Sequence, residues 1–171
     1  LNEQATGRYQ IFINLMLYLQ AMAQFIMLPF AKSVYRLDDV TIRYMMMRLF
    51  RVGIIIVPFA LVAAHILLLW VYGIQYDLMF MLLGGLFVLP IYAYLPLIHR
   101  LYKRNEQGAV LKKNIVSAGG NLGLNLLLLP VWGIHGALFS SALMQWTSLI
   151  YYLWRLRRSD ASRLPALQPG D

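Results

Sequence analysis

Apolar positions in this chain gather into long blocks separated by short polar stretches. Five blocks stand out, at about residues 9–30, 52–72, 77–98, 112–129 and 136–154. Each approaches or exceeds the roughly 20 residues with which an α-helix crosses a hydrocarbon core. The pattern predicts an all-α integral membrane protein with five transmembrane helices. Ala31 to Arg51 reads as a loop whose second half, Thr41 to Arg51, is an interfacial helix. Gly84, Gly85, Pro90 and Pro96 fall inside the third block and predict a bent or locally unwound helix. The lobe ends near residue 158, and residues 159–171, with Pro165 and Pro169, read as a disordered tail.

Polar residues inside the blocks are few and patterned. At about 100° per residue, Asn114, Ser117, Asn121 and Asn125 share one narrow side of the fourth helix, with Gly119, Gly120 and Gly123 opposite. The glycine side predicts close approach of a neighbouring helix. The amide side has two readings: hydrogen bonding between helices, or a wall facing a polar substrate path. Gln20 and Gln24, one turn apart in the first block, carry the same two readings. Ser141, Gln145 and Ser148 share one side of the fifth. Away from the block ends His65 is the only His, Asp, Glu, Lys or Arg, either a proton-coupling group or a neutral partner for another helix. Pro130 closes the fourth helix, and Gly133 to Gly136 make a very short turn into the fifth.

Hydrophobic residues make up 60% of the chain, more than a water-soluble core uses. The net charge of +8 matters through its placement. The polar segment before the first block and the two alternate connections, 73–76 and 130–135, hold one, no and no Lys or Arg. The other side holds five, five and four. By the positive-inside rule the first set faces out and the C-terminus is cytoplasmic. The basic residues are thereby explained by topology, with anionic lipid heads as further partners and no nucleic acid implied. The chain has no cysteine, so disulfides and thiolate metal sites are excluded.

Catalytic chemistry has no foothold. His65, His99 and His135 lie in separate segments without acids at metal-ligand spacing, so no metal and no other cofactor is expected. No phosphate-cradling glycine loop followed by Lys is present, which argues against ATP-driven transport. All seven acids lie outside the centres of the blocks. A ligase or polymerase of polysaccharide assembly would need a large outer loop, and the outer connections are only a few residues long.

The stretch around Asn121 and Asn125, then Leu129-Pro130 and the Gly133-Ile134-His135-Gly136-Ala137 turn into a Ser-containing helix, resembles polysaccharide flippases. These belong to the multidrug/oligosaccharidyl-lipid/polysaccharide exporter superfamily. The segment from Ala5 to Tyr9, followed by a long apolar run ending in Leu28-Pro29, is similar to another part of these proteins. Together the resemblance spans about Thr6 to Arg158. It implies a two-lobe helical bundle, of which this chain supplies five helices of the C-terminal lobe, the N-terminal lobe lying elsewhere. It also implies alternating access and an undecaprenyl-pyrophosphate-linked oligosaccharide as cargo, at the bacterial cytoplasmic (inner) membrane. In relatives the cavity is cationic; here no Arg or Lys lies away from the ends of a block, so phosphate binding falls to the other lobe or to rim residues such as Arg51 and Arg100. The candidate path residues are Asn114, Ser117, Asn121, Asn125, Gln20, Gln24 and His65. A drug/cation antiporter of the same superfamily is the alternative.

Overall fold

The structure is a computed structural model and describes residues 3–161. Among these, the elements are helical: α1 (Glu3–Met27), a 3₁₀ turn (Leu28–Phe30), α2 (Ala31–Val34), α3 (Asp39–Tyr72), α4 (Leu78–Lys103) and α5 (Gln107–Ala161). Four helices, α1, α3, α4 and α5, are long and apolar enough to cross a membrane. Much of the apolar surface points outward, including Phe59, Trp70, Leu78 and Val131. Such a surface suits lipid and would be a liability in water.

α4 is the central post, against which α1, α3 and α5 pack. Its buried side carries Phe80, Val88, Tyr92 and Leu101. Asp77 caps its start, accepting from the Phe80 N–H at 2.7 Å. Despite Pro90 and Pro96, the expected unwinding is absent and α4 runs unbroken. Pro90 has no N–H to offer the carbonyl four residues back, Leu86. The Trp146 indole donates to that oxygen at 3.0 Å. One residue on, the Phe87 carbonyl accepts from Gln20 Nε2 at 3.1 Å. Side chains of two neighbouring helices thus serve the backbone around the proline.

Of the stretch Ala31 to Arg51, the half expected to be helical, Thr41 to Arg51, is helix and runs on into the second block, while the half expected to be loop holds the short α2, and only residues 35–38 separate α2 from α3. Ile42 and Leu49, one helical face apart by seven, are buried against the core and carry the helix of the second block back to Asp39. Ser159 and Asp160, assigned to the tail, lie in the last turn of α5 and are tied down by side-chain contacts. Residues 162–171 lie outside the described residues.

α5 joins two helices. The first, from Gln107, runs through Pro130, where an end was expected, and the second continues to Ala161 beyond a kink in the expected turn. A straight helix of that length would reach about 80 Å. Gly133, with φ 56° and ψ −137°, breaks the helical geometry at one residue. That conformation is open essentially to glycine alone. The two arms, 107–132 and 134–161, fold against each other: Ser140 contacts Asn121, which in a straight helix would be nearly 30 Å away. Gly136 lets the arms close at the turn, since a Cβ there would stand 2.5 Å from the Leu128 carbonyl oxygen.

The glycine side of the first arm is not where helices meet. A Cβ at Gly119 or Gly123 would touch nothing within 4 Å, and one at Gly120 would meet only the end of the Met144 side chain, Sδ at 3.0 Å and Cε at 3.6 Å. Close approach occurs instead at Gly53, against Tyr92, and at Gly84, against Phe12.

Candidate functional site: a polar cavity beside the α5 hairpin

The polar stripe of the first α5 arm opens on a cavity of about 470 Å³. Lys113, Asn114, Ser117 and Asn121 form one wall, and Ser141 and Gln145 of the second arm another. Tyr9 of α1 and Tyr94 of α4 close it. Helical spacing sets this wall, since residues 114, 117 and 121 recur at three and four. Tyr94 Oη donates to Gln145 Oε1 at 2.6 Å, and Tyr9 is hydrogen-bonded with Ser141. Ser141 Oγ also reaches Asn121 Oδ1 at 3.4 Å.

The stripe divides between two jobs. Ser140, fully buried, has Oγ 2.9 Å from Asn121 Oδ1, in contact with Asn125 Oδ1, and 2.9 Å from the Ala137 carbonyl. A hydroxyl has one proton and donates to one oxygen at a time. An amide turned to present its nitrogen donates to Oγ instead, so one serine can hold both asparagines. Asn125 therefore clasps the arms together, and Asn121 both clasps and lines the cavity. Asn114 and Ser117 hold no such clasp.

The remaining candidates lie elsewhere. Gln20 is buried and serves the Phe87 carbonyl. Gln24 is exposed on α1. His65 lines a separate, largely apolar groove between α3 and α4, with Pro58, Leu61 and Met81, and its Nδ1 is buried without a partner.

Lys113, at the edge of the fourth block, counts in the sequence only toward the basic side. It stands half-buried at the start of the first arm, its Nζ 5.7 Å and 5.5 Å from the ring centroids of Tyr94 and Tyr152. Its Nζ is 3.4 Å from Asn114 Oδ1, and no carboxylate among the described residues pairs with it. The π-faces give partial compensation for a poorly hydrated ammonium. Lys113 also edges a second cavity of about 300 Å³, running between the arms past Val116, Met144 and Tyr151, with walls almost wholly apolar. The two cavities share Lys113, Ser117 and Met144. Tyr9, Tyr94, Ser141 and Gln145 were likewise absent from the sequence-based candidates, although the last was noted as lying on one side of its helix with Ser141.

Several other charges at the basic end are paired within the fold. Arg100, only 4% exposed, contacts Asp39 at 2.6 Å and Asp160 at 3.0 Å, and Arg104 bridges the same two carboxylates. Arg155 and Ser159 hold Glu106 at 2.7 Å and 2.8 Å. These clusters join the start of α3 and the end of α4 to the last turns of α5. Arg100, proposed from sequence as a rim phosphate ligand, is thus occupied by Asp39 and Asp160. At the opposite end His135 Nε2 lies 2.8 Å from Asp77 Oδ2. Among the described residues no group of three or more His, Asp or Glu could hold a metal.

Comparison of the chain with family profiles, curated proteins and solved structures finds no match.

Proposed function

We propose that the chain is part of a membrane transporter that flips an undecaprenyl-pyrophosphate-linked oligosaccharide across the bacterial cytoplasmic membrane for surface polysaccharide synthesis. The observation that carries this reading is the meeting of an apolar and a polar cavity at the unpaired Lys113. A lipid-linked sugar has the same order of parts: an apolar chain, an anionic link and a head rich in hydroxyls. The groove between the α5 arms suits the chain, and the Lys113 ammonium suits the diphosphate. Asn114, Ser117 and Gln145 offer donors and acceptors to the sugar without burying a further charge. With the α5 arms counted as two crossings, the chain has five spans and its basic ends are cytoplasmic. Lys113 then lies near the cytoplasmic side, where the substrate is loaded. A second lobe of the same protein completes the cavity, and rocking of the lobes moves it between leaflets. A cation antiporter is disfavoured because Lys113 would repel its cargo.

The test is surface polysaccharide in a strain deleted for its own flippase, with variants of the whole transporter matched for membrane abundance. Lys113→Gln should lower polysaccharide severalfold. Asn114→Ala/Ser117→Ala should impair it mildly, because each lost hydrogen bond is worth about 1 kcal/mol and water can substitute. Wild-type polysaccharide from both variants would sink the reading. Asn121 and Asn125 are left intact, since their loss would also unclasp Ser140.

A further inference from the structure

α3 is longer than a membrane crossing requires. Its 34 residues span about 51 Å, against about 30 Å of hydrocarbon. Trp70, 87% exposed, and Tyr72 mark one end as an interfacial aromatic anchor. Counting back about 20 residues from there reaches Arg51. The turns before it therefore lie among headgroups.

Those turns have two unlike faces. Ile42 and Leu49 are buried against the rest of the protein. The other face exposes Tyr44, Met47, Arg48 and Arg51, with Arg43 exposed at its edge, beside the cleft lined by Arg100, Arg157 and Asp160. Arg48 Cζ sits 4.5 Å from the Tyr44 ring centroid, which holds the guanidinium near the helix surface and leaves its N–H groups for an acceptor. None of the ion pairs among the described residues uses Arg43, Arg48 or Arg51. Of the nearby carboxylates, Asp39, Asp160 and Glu106 are taken by Arg100, Arg104 and Arg155, and Asp38 lines a cleft with Lys103 and Arg104. Ile55, exposed one turn deeper, continues the same face into hydrocarbon.

We infer that this face of α3 is a docking site for anionic phospholipid. The headgroup phosphodiester lies among the three guanidiniums, and the acyl chains run toward Ile55. Charge complementarity and the headgroup-level position of the turns select a lipid over a soluble anion. The inference stands apart from the transport reading.

The test is lipid retention by the purified 171-residue chain in neutral detergent, measured by native mass spectrometry. Phosphatidylglycerol is compared with phosphatidylcholine of the same acyl chains. The wild type should prefer phosphatidylglycerol. Arg43→Gln/Arg48→Gln/Arg51→Gln should weaken that binding roughly tenfold or more, from charges each worth about a factor of five, and leave phosphatidylcholine unaffected. Lys32→Gln/Arg36→Gln/Arg158→Gln removes equal charge elsewhere and should retain most of the preference. Circular dichroism checks folding, and Arg48→Gln alone, with a loss of roughly fivefold, replaces a triple that does not fold. Equal losses in the two triples, or no lipid preference in the wild type, would overturn the site and leave the face to another partner.

Discussion

Replacing Gly84 by alanine isolates the close contact of α1 with α4. An alanine Cβ there would stand 2.6 Å from Phe12 Cζ and 2.8 Å from Cε1. Carbon atoms in contact sit about 3.5–4.0 Å apart, so the ring must retreat by about 1 Å. It has little room to do so. Phe12 is fully buried and packs against Tyr76 and Phe80, with ring centroids at 4.9 Å and 4.6 Å. Tyr76 is itself tied to the Arg8 carbonyl at 2.7 Å. Gly123→Ala is the matched control, because its Cβ meets nothing within 4 Å. Both changes gain about 1 kcal/mol of helix propensity, so the difference between them is packing alone. Overpacking of this kind costs about 1–3 kcal/mol. Equilibrium unfolding in mixed detergent micelles, followed by circular dichroism, should show Gly84→Ala less stable than Gly123→Ala by that amount. Phe12→Leu should recover part of the loss in the Gly84→Ala background. Equal stability of the two alanine variants would refute the close approach of α1 to α4.

Topology is open to single-cysteine labelling, since the chain has no cysteine. An impermeant thiol reagent outside the cell should modify exposed Gln75→Cys and Trp132→Cys but not Gln107→Cys, and labelling at 107 would reverse the orientation. Asp77 predicts a pH dependence. The Phe80 N–H, opposed by slight desolvation and aided by His135, holds its carboxyl below the usual carboxylate range. A carboxyl lowered on folding contributes stability above its unfolded pKa of about 4 and loses it as pH falls through the folded value. Asp77→Ala should therefore cost about 1 kcal/mol at pH 7, and the difference from wild type should shrink on acidification below pH 4. A constant difference from pH 7 to pH 3 would dispose of the carboxylate cap.

The helical class and the long apolar segments were legible because nearly every block keeps its hydrophobic run unbroken. The start of α3 was legible as helix from Thr41 on, but its fusion with the next span was not, because Arg43, Arg48 and Arg51 dominate the composition there while the buried positions, Ile42 and Leu49, are only two. The prolines of α4 suggested unwinding; what prevents it, Trp146 and Gln20, comes from other helices and leaves no local mark. The amide stripe was visible as a stripe, but its division at Ser140 depends on the tight turn at Gly133. Lys113 counted only toward the basic side because its partners, Tyr94 and Tyr152, are 19 and 39 residues away. The glycine side failed for a related reason: spacing gives a face, and only packing gives its neighbour.

The single-residue reversal at Gly133 bears on how this part of the chain can enter a bilayer. An isolated first arm would carry four polar side chains into hydrocarbon, where unsatisfied amides are costly. Folded on the second arm, Asn121 and Asn125 find Ser140 before either meets lipid. With no polar loop between the arms, nothing needs to be translocated separately. The hairpin, rather than the helix, is the favourable unit of insertion.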